Sequence, residues 1–208
     1  MSLELKPGTV LARGELAQAF GLSQTPIRDA LIQLRDEGLV DIFPQHTTAV
    51  SRIDIAAARQ AHFLRRSLEL EIVHILAGRS DPALIERLQA HIDVQRATLG
   101  EAADRYPRFI AADHAFHREL HEAAGVIGLW ELEQRHSGHV DRLRRLHLPE
   151  AGKAERIVSD HQKLLDAIAA QDEQLARRVL REHLSGTLSQ INDICERYPD
   201  YVTGVTAD

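Results

Sequence analysis

The feature that most constrains the fold is a long series of amphipathic helical patterns that begins at Asp54. The patterns are separated only by short breaks that contain glycine or proline, the residues at which helices most readily end. They cover residues 54–78, 81–99, 104–124, 127–147, 151–170 and 172–197. Connections this short favour antiparallel neighbours, so we predict an all-helical antiparallel bundle of about six helices over 54–198. We expect residues 199–208 to form a loose tail.

The residues before this bundle carry shorter elements and more turn signals. Two short helices are predicted, the second between the N-cap candidate Ser23 and Gly38, which is expected to end it in the left-handed conformation. Two short strands, over 39–43 and 49–52, then flank a loop. This order of elements is the outline of a winged helix-turn-helix, so the predicted fold is mainly α with a winged helix-turn-helix at 1–53.

The second predicted helix leaves polar side chains off its apolar face. They include Gln24, Thr25 and Arg28, and such residue types contact base edges and phosphates in DNA. A small helical subdomain with a solvated face would show the same outline. The pattern alone therefore leaves DNA binding open.

Charge and composition exclude several broad functions. Lys and Arg total 25 against 31 Asp and Glu, a net charge of −6, so the chain is not a generic polyanion binder. Aromatic residues make up 4% of the chain, which disfavours the stacking platforms of single-strand binders. No apolar run reaches the roughly 20 residues of a membrane span, and the single Cys195 cannot form an internal disulfide. We therefore expect a cytoplasmic protein with no membrane partner.

A helical-wheel calculation places polar residues where core residues belong. With about 100° per residue and Asp113 taken as zero, His117 lies at about 40°, on the apolar side that also carries Phe116. His161 and His183 each lie at the centre of the apolar face of a later helix. Buried carboxylates and imidazoles need partners, and a single divalent metal ion would satisfy all of them.

The composition of this set suits a transition metal. One carboxylate and three imidazoles are borderline ligands for zinc, nickel, manganese, iron or cobalt, and two ligands at i and i+4 can reach one ion. The other interpretation is that each histidine is a hydrogen-bonded core residue, and that Asp113 and His117 form an ion pair within their helix. The residues alone leave both interpretations open.

A cation borders the apolar stripe of the first bundle helix. Arg65 either reaches into the bundle to clamp a carboxylate or pairs with Glu69 at the surface. His136 falls on an apolar face of its own helix. A solvated face is expected for three later arginines, Arg142, Arg144 and Arg145.

Several motifs resemble those of known bacterial regulators. The N-terminal ones are Leu5-Lys6-Pro7-Gly8, Glu15-Leu16-Ala17, Ser23-Gln24-Thr25-Pro26-Ile27-Arg28-Asp29-Ala30-Leu31 and Leu34-Arg35-Asp36-Glu37-Gly38-Leu39-Val40. They are similar to the winged helix of GntR-type transcription regulators. The run Asp113-His114-Ala115-Phe116-His117, followed by His161 and His183, resembles the ligand-sensing helical domain (FCD type) of the FadR-like subgroup.

This resemblance implies a homodimer that binds a palindromic double-stranded DNA operator and a small organic-acid effector. In metal-containing members the ion is held by residues that match Asp113, His117, His161 and His183. Zinc or nickel is the expected metal, with manganese and iron as alternatives. The candidate effector-binding residues are Arg65, His136 and His139. The candidate DNA-binding residues are Ser23, Gln24, Thr25, Arg28, Arg35 and His46.

The sequence departs from the pattern of that family in three places. Only five residues precede Lys6 where the family usually has a full helix, so we expect a missing or truncated first helix and a native start further upstream. Gln24 stands where the family mostly has arginine, and His46 and Thr47 stand where its wing tends to have arginine and glycine. There are two alternatives to a DNA-binding regulator. One is a metal-dependent helical-bundle hydrolase or lyase, and the other is a sensor with a defective DNA-binding domain.

Overall fold

The computed structural model describes residues 3–43, 47–79, 81–99, 105–148 and 150–204. Within these ranges the chain is mostly helical, with an N-terminal unit of two helices and a two-stranded sheet followed by a helical domain. The predicted fold class is confirmed. No helix within these ranges is long and apolar enough to cross a membrane.

The N-terminal unit folds around a small apolar core. Helix α1 (Arg13–Phe20) packs on helix α2 (Gln24–Asp36), which in turn contacts strand β1 (Val40–Ile42). Strand β1 pairs in antiparallel register with β2 (Thr48–Val50). The core of this unit consists of Leu11, Ile27, Leu31 and Val40. The two strands form the base of the wing, whose tip, including His46, lies outside the described residues.

Helix α2 begins and ends where its residue types predict. Ser23 takes the N-cap position in an extended conformation, although its side chain makes no capping hydrogen bond. Gly38 follows the helix at φ +73°, the left-handed region that glycine enters without a Cβ clash. The chain therefore turns sharply into β1 at this residue.

The helical domain begins after a short strand, β3 (Ile53–Asp54). Its α-helices are α3 (Ile55–Ala77), α4 (Pro82–Thr98), α5 (Arg105–Ala123), α6 (Ile127–His136), α7 (Gly138–His147), α8 (Lys153–Ala169), α9 (Glu173–Ser185) and α10 (Ile191–Arg197). The side chains of Asp54, Asp81 and Asp172 accept hydrogen bonds from backbone N–H groups and so cap α3, α4 and α9. Helices α3, α4, α5, α8 and α9 enclose the main apolar core.

The second half of this domain has more breaks than the predicted bundle of about six helices. The predicted helix 127–147 is two helices, because the Ser137-Gly138 pair is a weak helix former and the Ser137 hydroxyl lies 3.1 Å from the Gln134 carbonyl oxygen. The predicted helix 172–197 also breaks, at Gly186, whose N–H donates to the His183 carbonyl in a tighter turn (3.3 Å). A short 3₁₀ turn and α10 follow.

The prediction of a loose tail is wrong for residues 199–203. Pro199–Tyr201 forms a 3₁₀ turn, and strand β4 (Val202–Thr203) pairs in parallel with β3. The physical reason is apolar burial, because Val202 packs into a small core cluster with Ile53 and Ile191. This contact ties the C-terminal segment to the start of the helical domain.

Candidate metal centre, domain junction and DNA-reading helix

Four predicted ligands converge in the main core of the helical domain. Asp113 and His117 lie one turn apart on α5, while His161 comes from α8 and His183 from α9. One ligand atom from each residue lies within 4.8 Å of those of the others. The side chains of the first three are fully buried, and that of His183 is 7% exposed. The structure therefore brings together all of the residues that the wheel calculation selected.

The His117 ring is held in one orientation by a carboxylate on α3. Its Nδ1 lies 2.8 Å from Glu69 Oε2, and the two side chains are fully buried. An imidazole N–H that donates to this carboxylate leaves the lone pair on the other ring nitrogen, Nε2. That Nε2 atom is buried and has no hydrogen-bond partner, so it is free to bind a cation.

The His161 ring is held in the same way by an amide. Its Nδ1 lies 2.8 Å from Gln95 Oε1, and the Gln95 amide is itself fixed because Nε2 donates to the Ala112 carbonyl at 3.2 Å. One face of the His161 ring stacks on the Phe116 ring, with a distance of 4.1 Å between the ring centroids. Its Nε2 therefore points toward His183 Nε2, 3.2 Å away.

The two carboxylate oxygens of Asp113 have different neighbours, an arginine and the candidate histidine ligands. Oδ2 accepts a hydrogen bond from Arg144 of α7, whereas Oδ1 is buried without a hydrogen-bond partner. Oδ1 lies 4.0 Å from His117 Nε2 and 3.7 Å from His161 Nε2. Burial alone would raise the pKa of Asp113, but the Arg144 guanidinium and then the two imidazoles hold it well below its usual range. The carboxylate is therefore ionised.

Two of the histidines are neutral near pH 7. Burial, reinforced by the neighbouring imidazoles, lowers the pKa of His161 well below its usual value. Burial and then His117 lower the pKa of His183 to about 3. Neutral imidazoles and an ionised carboxylate are the protonation states that metal ligands require.

Arg65 lies inside the bundle rather than at the surface. Its Nε lies 2.7 Å from Glu69 Oε1 and 3.3 Å from Glu133 Oε1, and its side chain is 12% exposed. Glu69 therefore contacts both Arg65 and the His117 ring. The ion pair with Glu69 that the sequence suggested does form, but as a buried contact beside the candidate ligands.

Two predicted effector residues lie elsewhere. His136 and His139 line a cavity of about 360 Å³ between the end of α2 and helices α3, α6 and α7. Glu37 and Gly38 of the N-terminal unit line the same cavity. The structure therefore places these histidines at the junction of the two domains and not at the candidate ligand cluster.

A buried arginine holds this domain junction together. Arg142 Nη1 donates to the Ser51 carbonyl (2.8 Å), and Nη2 donates to the Ser51 hydroxyl (3.1 Å) and to His139 Nδ1 (2.9 Å). The Ser51 hydroxyl donates in turn to the Gly38 carbonyl (2.6 Å). The backbone N–H of Asp54 also donates to His139 Nδ1 (3.0 Å). Through Ser51, these contacts connect α7 to Gly38, which follows the end of α2.

Arg142 and Arg144 thus depart from the predicted solvated face. Arg142 is 3% exposed, and burial lowers its pKa to about 10. The apolar pattern of α7 could not reveal this burial, because the partners of both arginines come from distant parts of the chain. The sequence interpretation also missed the roles of Glu69 and Gln95, which contact the candidate ligands His117 and His161. Their only signal is a polar residue on the buried side of a helix.

The predicted DNA-binding residues of α2 are exposed. Ser23, Gln24, Thr25 and Arg28 all lie on the open side of the helix start. Within the part of the chain that the structure describes, the Arg28 and Arg35 guanidinium groups form ion pairs only with the adjacent Asp29 and Asp36, at 3.3 and 2.7 Å. Such exposed pairs are weak, so both arginines are available to another anion.

The N-terminal unit combines an exposed helix with a two-stranded wing, and it is joined to a helical domain with a buried polar centre. This combination is typical of a winged-helix transcription regulator with a sensory domain. The family described as "Bacterial regulatory proteins, gntR family" matches residues 1–50, and the FCD domain family matches residues 60–186. The chain therefore belongs to the GntR family of transcription regulators and carries an FCD effector-binding domain.

Relatives across bacteria agree with this assignment. The chain is 36% identical to an uncharacterized HTH-type transcriptional regulator in an unstable DNA locus of Streptomyces ambofaciens, over 96% of this chain and 83% of that protein. It is 24% identical to the HTH-type transcriptional repressor RspR of Escherichia coli K12, over 95% of this chain and 86% of that protein. Both families and these relatives are transcription regulators, so the hydrolase or lyase alternative is wrong.

Solved structures share the fold. E. coli McbR/YncC superposes with a TM-score of 0.73 at 22% identity, over 91% of this chain and 89% of that one. A GntR regulator from Rhodococcus sp. RHA1 superposes with a TM-score of 0.72 at 20% identity, over 92% and 91% of the two chains. The likeness extends over both domains.

Proposed function

We propose that this regulator binds a divalent transition metal through Asp113, His117, His161 and His183, and that a small carboxylate effector bound beside the ion alters its affinity for operator DNA. The observation that carries the proposal is the cluster of buried ligand atoms without partners. Asp113 Oδ1 and His117 Nε2 are buried and make no hydrogen bond. Leaving such groups unpaired costs about 1–3 kcal/mol each, a cost that a bound cation removes.

The residues fit a metal in composition and in orientation. The four ligand atoms all lie within 4.8 Å of one another, so small side-chain movements would bring all of them to the distance of about 2.0–2.2 Å that nitrogen and oxygen ligands keep from such an ion. Zinc or nickel suits one carboxylate and three imidazoles best, with manganese and iron as alternatives. Such an ion, when bound, supplies a Lewis acid that an effector carboxylate can approach.

At the other end of the molecule, we propose that α2 and the wing read a double-stranded operator. The contacts would come from the exposed side chains Ser23, Gln24, Thr25, Arg28 and Arg35, and from His46 in the wing. The family resemblance supports a homodimer on a palindromic site. Two winged helices must match the spacing of the two half-sites, so a small change in their relative placement changes DNA affinity.

Metal binding is tested by measuring the metal content of the purified chain after loading with zinc and removal of free ion. We expect one zinc per chain in the wild type and none in Asp113→Ala or His161→Ala. Asp166→Ala is the control, because Asp166 is an exposed carboxylate on the same helix as His161. Retention of a full equivalent of zinc by both site variants would overturn the proposed ligand set.

DNA binding is tested by selection from a pool of random duplexes, with and without a chelator. We expect a palindromic sequence to be enriched and its affinity to fall steeply with salt. The affinity for that sequence should change on chelation and on addition of the effector. A chain that enriches no sequence at any metal loading contradicts this half of the proposal.

A further inference from the structure

A cavity lies beside the candidate metal centre, between α3, α7, α8 and the turn after α9. Of the described residues that line it, all of the ionisable ones are basic: His62, Arg65, Arg144, Lys153 and His183. The other walls are apolar or hydroxylated, as at Thr187. Such a lining favours an anionic ligand, because carboxylates and phosphates find charge-assisted hydrogen-bond donors there.

Most of these basic groups already have a role. Arg65 and Arg144 are paired with carboxylates of the protein, and His183 faces the other candidate ligands. Burial and then the neighbouring arginines lower the pKa of His62 to about 4, so it is neutral near pH 7. Lys153 differs from all of them, because its ammonium makes no hydrogen bond or ion pair with any described residue.

The backbone near Lys153 leaves room for its ammonium. A Cβ atom on Gly186, in the turn after α9, would lie 2.7 Å from Lys153 Nζ. Any larger residue at this position would therefore displace the ammonium. Burial, followed by the Arg156 and Arg144 guanidinium groups, lowers the pKa of Lys153, and the nearby Glu150 and Asp160 carboxylates oppose this only in part. A bound anion would offset this repulsion.

A second cavity continues outward from the first. The inner cavity has a volume of only about 30 Å³, whereas the outer one is about 310 Å³. Lys153, Ile157 and His183 line both of them. The outer walls are mostly polar and carry charges of both signs, with the carboxylates of Glu150, Asp160 and Glu182 beside the Arg156 guanidinium. A ligand that extends from the candidate metal centre into the outer cavity would pass the Lys153 ammonium.

We propose that the effector is a short, hydrophilic dicarboxylate, and that Lys153 binds the carboxylate that is not at the metal centre. The inference rests on the proposed function, which places the first carboxylate beside the ion. A monocarboxylate of the same length would leave the Lys153 ammonium without an anion. A phosphorylated acid has the same two anionic ends, and the experiment separates these two sources.

The test is isothermal titration calorimetry of the whole zinc-loaded chain with succinate, butyrate and 3-phosphoglycerate. Succinate and butyrate have the same chain length and differ in the second carboxylate. Because the second carboxylate would gain a charge-assisted hydrogen bond from Lys153, we expect succinate to bind about 10- to 100-fold more tightly than butyrate. Tighter binding of 3-phosphoglycerate than of succinate overturns the dicarboxylate assignment.

Two variants test whether the second carboxylate of the effector binds at Lys153. Lys153→Met keeps the alkyl stem without the charge and should bind both acids with the affinity of butyrate. Gly186→Ala keeps the charge but moves the ammonium, and should lose part of the preference for succinate. Its backbone is right-handed (φ −61°, ψ −31°), so alanine fits without strain. The control is Lys163→Met, an exposed lysine on the same helix, which should behave as the wild type.

The outcomes separate this inference from the proposed function. If succinate keeps its advantage in Lys153→Met, the role of Lys153 is overturned. If both acids bind the wild type equally, the dicarboxylate is overturned while the metal-centre effector stands. If zinc binds but neither acid does, the proposed carboxylate effector fails, and this inference fails with it.

Discussion

The two domains of this regulator keep their candidate functional side chains in opposite environments. In the winged helix the polar residues Gln24, Thr25 and Arg28 face solvent above a core of a few apolar residues. In the helical domain Asp113 and His161 are fully buried and contact other polar side chains. An exposed residue exchanges water for DNA at little cost, whereas a buried residue depends on every neighbour that pairs with it. Single substitutions should therefore have large effects in one domain and small effects in the other.

The largest effect on stability is expected at the junction of the two domains. Arg142→Met keeps the volume but removes the donors to Ser51 and leaves a buried carbonyl oxygen without its partner. We expect the free energy of unfolding to fall by about 2–4 kcal/mol. Urea denaturation measures this, with the half-buried neighbour Arg145→Met as the control. Equal stability of the two variants would show that the junction contacts do not stabilise the fold.

The next effect tests whether residues around the cluster matter as much as the candidate ligands. Glu69→Gln removes the charge that orients the His117 ring, while an amide oxygen of similar shape remains. We expect zinc affinity to fall about 10- to 100-fold, as is typical of residues that orient a metal-binding histidine. Competition with a chromophoric chelator measures this affinity. Glu71→Gln, a charge change on the exposed side of the same helix, should leave it unchanged.

The stability of the fold should also depend on pH through His139, which lies at the domain junction. Burial and then Arg142 lower the pKa of His139 to about 4, and its Nδ1 accepts two hydrogen bonds that protonation would break. The unfolded chain takes up a proton near pH 6.5 and the folded one only near pH 4, so stability falls as the pH decreases between these values. From pH 7.5 to 5, we expect His139 to account for about 1–2 kcal/mol of this loss.

The measurement is urea denaturation of the wild type and His139→Gln at both pH values. The variant should lose less stability on acidification, because glutamine retains an acceptor and does not titrate in this range. Other buried histidines titrate in both proteins, so the difference between the two isolates His139. An equal loss in both proteins would contradict the prediction.

The smallest effect is expected on the exposed helix. Arg28→Ala removes one positive charge that pairs only weakly with Asp29. We expect operator affinity to fall by about 1–2 kcal/mol and the salt dependence to decrease by about one unit, with no change in stability. Binding titrations over a salt series measure both. Arg79→Ala, an exposed arginine of the helical domain, should bind the operator as tightly as the wild type.

The sequence predicted the candidate ligands better than it predicted their surroundings. His161 and His183 stand out because each interrupts the apolar face of a helix, and helical periodicity reveals such faces from local spacing alone. The buried role of Arg144 is a tertiary property, since its partner Asp113 lies 31 residues away. Periodicity shows which side of a helix is buried, but not which distant group will neutralise a charge there.

The same limit explains the errors at the chain's breaks and end. The Ser137-Gly138 pair interrupts an apolar pattern that continues through it, so periodicity predicted one helix where there are two. The short strand at Val202 has too few residues to show alternation, and it is held by pairing with a strand about 150 residues earlier. Local patterns cannot reveal either arrangement, because both depend on contacts with the rest of the fold.

Helix α7 has a mechanical consequence that follows from its shortness. Its ten residues span about 15 Å, and Arg142 and Arg144 project from it about 200° apart around its axis. Arg142 contacts the Ser51 backbone at the domain junction, and Arg144 contacts the Asp113 carboxylate of the candidate metal centre. Because one short helix carries both side chains, a rotation of α7 about its axis would move both arginines at once. A change at the candidate metal centre that turned this helix would therefore also reach the N-terminal unit.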